Sequence, residues 1–179
     1  MSGLREAGVW AGNSKLLHVQ IPRDVARPSR ADVKLHWELP RFEMDNPWRV
    51  GRMQALWRAI HCLDEENAIA AMESAIHTKF LPSAVVKRID VLAPRRLQPA
   101  AQCLVAGSGS GNETIVRRRI ERAGYRVEVQ AYVPGMGRGD LLLEDASVSI
   151  STVESGTAKT GTRSTMIAIY ERRGWASTS

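Results

Sequence analysis

Between residues 107 and 143 the hydrophobic period switches from helical to alternating, and that switch restricts the chain to mixed α and β structure. Gly107-Ser108-Gly109-Ser110-Gly111 is too flexible for helix interior, yet Ser110-Gly111-Asn112-Glu113 has capping-box spacing, with serine and glutamate serving the first orphan amides of a helix. A helix is predicted from that point, with Val116, Ile120 and Ala123 on its inner face and Gly124 ending it. Residues 125–133 then alternate as a strand. Pro134-Gly135-Met136-Gly137-Arg138-Gly139 turns the chain, and Asp140-Leu141-Leu142-Leu143 opens a second, largely buried strand.

Upstream, Leu17, Val19 and Ile21 share one strand face and His18 and Gln20 the other, and Val33 to Trp37 repeats the pattern as a pairing partner. His18 and His36 both fall on the polar face, where solvated histidines are the simpler reading than a metal pair. Met53, Leu56, Trp57 and Ile60 mark a helical stripe; Ile69, Met72 and Ile76 mark a second one after Asp64-Glu65-Glu66, which suits a helix start. His61 and His77 lie near helix ends, where capping the last carbonyls suffices for both. A third helix is predicted after Pro82 on Val85, Ile89 and Leu92, and Arg95 to Ala101, between prolines, reads as a linker.

Beyond Asp145 the character changes. Ten of the 15 residues from Ser151 to Thr165 are Ser, Thr or Gly, too few apolar groups to offset the entropy of ordering them. Met166 to Tyr170 is a last candidate element, and Trp175 is expected to be exposed. The net charge of +6 invites a nucleic-acid reading, but it is spread: 15 Lys/Arg against 11 Asp/Glu in 1–100, 6 against 6 in 101–146, and 4 against 2 in 147–179. No window reaches the roughly 18 apolar residues of a membrane helix and no secretory start is present, so a cytoplasmic protein without membrane contact is expected. Cys62 and Cys103 lack metal-ligand spacing and read as buried small hydrophobes.

Glu113 in a first helical turn and Asp140 at a strand start are candidate Mg²⁺ ligands and catalytic acids, with Gln130 a candidate to place water. Two carboxylates leave such a site incomplete, and Glu113 as a cap with Asp140 as a turn residue is the plainer alternative. Arg117, Arg118 and Arg122 on the same helix, and Arg138 in the turn, are candidate phosphate contacts. The glycine run lacks the Lys-Ser/Thr of a phosphate-binding P-loop.

The run Ser108 to Thr114, with Arg117, Arg119, Ala123-Gly124, Val129-Gln130, and Val133-Pro134-Gly135-Met136-Gly137-Arg138 to Asp140-Leu141-Leu142, resembles an actinobacterial family of unknown function. That family is related to very-short-patch-repair endonucleases, and its members are often described as AbiEi-like type IV antitoxins or transcriptional regulators. The likeness covers about 107–143 and extends more weakly over 4–92. It implies a restriction-endonuclease-like fold in which Glu113 and Asp140 match the helix glutamate and the first metal-binding aspartate.

Two departures accompany the resemblance. The winged-helix segment that opens such chains is missing before the Leu17 strand, so a chain shortened at its N-terminus is expected. The family's next strand, ending in an acid-x-Asp-Gly motif, and the basic helix after it are replaced by Val148 to Glu154 and the Ser/Thr/Gly-rich stretch. Back-translating Val148 to Gly174 with mostly G/C-ending codons, and reading from the third base of the first codon, restores that motif. Met166 has a single codon, so Met166-Ile167 must yield an aspartate in that frame. A frame shift between about Leu143 and Val148 is therefore expected, which sequencing the encoding DNA would test.

The resulting expectation is an α/β (α+β) chain: a small α+β region over 1–93, a linker over 94–106, an incomplete restriction-endonuclease-like core over 107–145, and a tail over 146–179 without order. Its function is expected to be that of a degenerate nuclease-fold protein, catalytically inactive, with weak binding to DNA or a protein partner. The alternatives are a Mg²⁺-dependent endonuclease that adds an acid such as Glu144 or Glu154, and a regulator or antitoxin with a cognate toxin.

Overall fold

In the computed structural model the chain divides after Ala106 into two units, and residues 1–21, 30–42, 46, 49–91, 93–105, 107–133, 137–138, 140–143, 147–153 and 164–170 are described. The first unit contains α1 (Ser2–Glu6), β1 (Leu17–Gln20), β2 (Val33–His36), α2 (Arg52–Cys62), α3 (Glu65–His77), α4 (Ser83–Val91) and the short α5 (Gln98–Ala101). Asp64 caps α3 as its composition predicts. Its carboxylate accepts the Asn67 backbone N–H at 2.9 Å and the Asn67 side-chain amide at 2.7 Å. Pro82 precedes α4, where its fixed φ costs nothing, and its carbonyl accepts the Val86 N–H at 3.1 Å.

Helical stripes supply the core of this unit. Leu56 and Ile60 of α2, Ile69 and Met72 of α3, and Val86 and Ile89 of α4 are buried together with Leu4 and Val9 from the start of the chain. Each such side chain removed from water stabilises by roughly 1.5–3 kcal/mol. Leu92 lies outside the described residues. The segment expected to be a linker joins this core: Leu97 is fully buried, and Arg96 donates to the carbonyls of Ile60 at 3.1 Å and Leu63 at 2.8 Å, satisfying the end of α2.

β1 and β2 pair in parallel, with Leu17 opposite Val33 and Gln20 opposite His36. Their alternation is turned over relative to expectation. Leu17 is 48% exposed, and no residue of either strand belongs to the apolar core. The polar face instead meets Gln54, Arg58 and Cys62, which lie four residues apart along one side of α2. Gln54 donates to the Gln20 side chain at 3.0 Å and accepts the backbone N–H groups of Arg41 at 2.9 Å and Phe42 at 3.3 Å, while Arg58 pairs with Glu38. A helix buried on two sides needs a partner for its polar stripe, and the sheet provides it.

The second unit contains α6 (Gly111–Arg122), β3 (Val127–Val129), β4 (Tyr132–Val133), β5 (Gly137–Arg138), β6 (Leu141–Leu143), β7 (Ser147–Val153) and β8 (Ser164–Tyr170). Gly124 ends α6 with φ +92°, the left-handed conformation glycine adopts without strain. The buried side of α6 is Gly111, Glu113, Thr114 and Arg117, whereas the expected inner residues Val116 and Ile120 are half-buried and Ala123 is exposed. The single strand expected over 125–133 is interrupted at Gln130, whose φ is 56°. β3 pairs antiparallel with β6, and β4 pairs with β5 across the glycine-rich turn.

Within the segment expected to lack order, β7 and β8 pair antiparallel from Ser147 opposite Tyr170 to Val153 opposite Ser164. Trp175 lies outside the described residues. In β7 serines alternate with Val148 and Ile150, the period a ladder requires, while in β8 Ile167 and Ile169 alternate with Met166, Ala168 and Tyr170. The chain thus combines helices with small sheets, as α+β structure does. No helix among the described residues is long and apolar enough to cross a membrane.

Candidate functional site

The residues singled out in the second unit occupy three places. Glu113 is 7% exposed, and its Oε2 accepts the Gly109 N–H at 2.8 Å while its own N–H donates to Ser110 Oγ at 3.2 Å. This is a capping box displaced by one residue, because the glutamate reaches past Ser110. Gln130 and Asp140 meet at the end of the β3–β6 ladder: the Gln130 N–H donates to the Asp140 carbonyl at 2.9 Å, and its side chain bonds the Asp140 carboxyl. Burial pushes the Asp140 carboxyl above its usual range, against the Gln130 hydrogen bond, which favours the ionised form.

The arginines of α6 divide by burial. Arg117 is 1% exposed and donates to Glu121 Oε1 at 2.6 Å; Arg118 is half-buried and reaches the other oxygen of the same carboxylate at 3.2 Å. Arg122 is exposed. Arg138 sits in β5 with its backbone opposite Tyr132. Glu144 and Glu154 lie outside the described residues. Glu113 and Asp140 join no cluster of three ligating side chains among the described residues.

Such a cluster occurs in the first unit, where sequence spacing predicts none. In the parallel register His18 lies opposite Lys34 and His36 opposite Gln20, so the two imidazoles are diagonal neighbours on the face toward α2. His18 Nδ1 and His36 Nε2 are 2.9 Å apart and share a hydrogen bond; their rings stack with centroids 5.1 Å apart. Cys62, the last residue of α2, brings Sγ to 3.8 Å from His36 Nε2 and 4.0 Å from His36 Nδ1. One ligand atom from each of the three residues lies within 4.8 Å of the other two. The remaining nitrogen of His18, Nε2, is buried without a hydrogen-bond partner among the described groups.

Electrostatics keeps both rings neutral. Burial, followed by repulsion from nearby positive groups, lowers His18 to about 4; burial, followed by Arg58 and Lys34, lowers His36 to about 4. Glu38 is held below the usual carboxylate range by its Arg58 hydrogen bond. Both histidines line a cavity of about 760 Å³ with Gln20, Arg49, Arg52 and Arg58, and His18 and Cys62 border a second of about 300 Å³.

The other singled-out side chains keep modest roles or leave them. His61 closes on the Trp57 carbonyl at 2.8 Å within the last turns of α2. Cys103 is exposed and Cys62 half-buried, so neither is the fully buried small hydrophobe expected. The signal that could have revealed the cluster was Gln54, Arg58 and Cys62 recurring every four residues on α2, matched to polar residues at alternate positions of two strands. No protein-family profile, curated protein or solved structure matches this chain.

Proposed function

We propose that the second unit is a degenerate nuclease-fold domain that no longer cleaves nucleic acid and retains weak binding to DNA or a protein partner. The likeness of residues 107–143 to endonuclease-related chains is one support. The observation that carries the reading is that Glu113 and Asp140, each bonded within its own cap or ladder end, join no third ligating side chain among the described residues. A Mg²⁺ centre draws on carboxylate oxygens open to the ion, and these acids lie at a helix cap and at a ladder end. Binding would fall to Arg122 at the exposed end of α6, since Arg117 is buried against Glu121.

A Mg²⁺-dependent cleavage assay on duplex and single-stranded DNA, with Asp140→Ala as control, tests this. Equal inactivity of both proteins is expected. Retained DNA would bind through phosphates, so its affinity should drop steeply as salt rises, and Arg122→Ala should weaken it. Mg²⁺-dependent cutting that Asp140→Ala abolishes would establish the competing reading, an active endonuclease, which draws on the contact between Gln130 and Asp140.

A further inference from the structure

We propose that the first unit carries a transition-metal centre formed by His18, His36 and Cys62, with zinc the preferred ion and a fourth coordination position left to an exchangeable solvent or anionic ligand. The ligands arrive from β1, β2 and the end of α2, so the site forms only when the sheet docks on the helix. Two imidazoles and one thiolate are a borderline-soft set that suits zinc and disfavours magnesium or calcium, which prefer oxygen.

The spacing fits. Tetrahedral zinc with Zn–N near 2.0–2.1 Å and Zn–S near 2.3 Å separates two nitrogens by about 3.3 Å and nitrogen from sulfur by about 3.6 Å. The observed distances are 2.9 Å for His18 Nδ1 to His36 Nε2 and 3.8 Å for His36 Nε2 to Cys62 Sγ. Fitting these two edges to the ion requires shifts of about half an ångström, and the His18–Cys62 edge, which lies within 4.8 Å, closes by up to about 1.2 Å, both within side-chain rotation. The ion would also replace the hydrogen bond that now joins the two rings.

Among the described residues no fourth His, Cys, Asp or Glu joins the group. Asp64 borders the smaller cavity beside Cys62, but its two carboxylate oxygens bind Asn67. Three protein ligands with one open position is the arrangement of exchangeable rather than purely structural zinc sites. The larger cavity, which both histidines line, is bordered by Arg49, Arg52 and Arg58 and so favours an anion in that position. The same cations, with Arg5, Lys34 and the terminal amine, oppose a bare dication; Glu38 and a metal-bound Cys62 thiolate counter only part of that charge, so an anion in the open position completes the balance.

Cobalt(II) titration of the full chain tests the proposal, because cobalt in place of zinc reports its ligands by absorption. One Co²⁺ per chain is expected, with visible bands of tetrahedral intensity and a near-ultraviolet thiolate-to-cobalt band, all removed by excess zinc. Cys62→Ser should remove the thiolate band, and His36→Gln should weaken binding at least tenfold. Cys103→Ser, which alters the exposed second thiol, should leave both unchanged. Should Cys62→Ser fail to fold, the Tm of the unsubstituted chain provides a second readout, rising with added zinc and not in His36→Gln. Absence of tetrahedral bands in folded protein, a thiolate band that follows Cys103, or a zinc-independent Tm would overturn the assignment.

Discussion

Gln54→Leu removes the centre of the polar seam between α2 and the β1–β2 pair while roughly preserving volume. The wild-type side chain has no exposed surface and makes three hydrogen bonds: two accepted from Arg41 and Phe42 and one donated to Gln20. A buried group left without its partner costs about 1–3 kcal/mol. The Phe42 bond is long at 3.3 Å and both Gln20 and Arg41 reach water, so each loss falls at the low end. The added apolar surface returns part of it, leaving a net destabilisation of roughly 2–3 kcal/mol. For a unit of this size that lowers Tm by about 8–20 °C. Urea unfolding followed by tryptophan fluorescence is the assay, since Trp10, Trp37, Trp48 and Trp57 lie in the first unit against Trp175 in the second. A midpoint within error of wild type would mean that Gln54 faces water and that the seam does not form.

Leu17→Ser, on the outward face of β1, should change the unfolding free energy in the same assay by less than about 0.5 kcal/mol, whereas an inward apolar face would make it costly. Asp64→Ala should destabilise by about 1 kcal/mol through loss of the α3 cap, read by thermal denaturation and partly rescued by Asp64→Asn. For Asp140 the folded carboxyl titrates above its unfolded value, so its contribution is favourable in acid and is lost as pH rises through the folded value. Asp140→Asn should therefore stabilise the second unit at pH 7 and give no gain near pH 3; equal effects at both would refute the burial argument. Amides of 147–153 and 164–170 that bond across β7 and β8 should exchange slowly, and uniformly fast exchange would disprove that pairing.

Much of the first unit is legible in the sequence because its signals are local. The Asp64 cap, the helix start after Pro82 and the stripes of α2 and α3 depend on residues within a turn or two of each other, and each stands where expected, as do Val85 and Ile89 of α4. The polar seam is not legible, because alternation says which residues share a strand face but not which face meets a helix. On alternation alone His18 and His36 belong to water, and only the parallel register with the position of Cys62 brings them together. In the second unit the helix start and strand order are readable, but the buried side of α6 is not. Glu113 and Arg117 occupy it through hydrogen bonds that hydrophobic periodicity does not count.

The seam joins partners far apart along the chain: Gln20 with Gln54, and His36 with Cys62, are separated by 34 and 26 residues. Contacts of that range close long loops and carry an entropy cost that contacts within a helical turn do not, and partial opening that releases them can leave the helices in place. An excursion that lifts the two strands while the helical core persists would bare a thiol and two imidazoles at once. Alkylation of Cys62 would then run faster than its half-buried thiol allows in the closed state, with the exposed Cys103 as the internal clock.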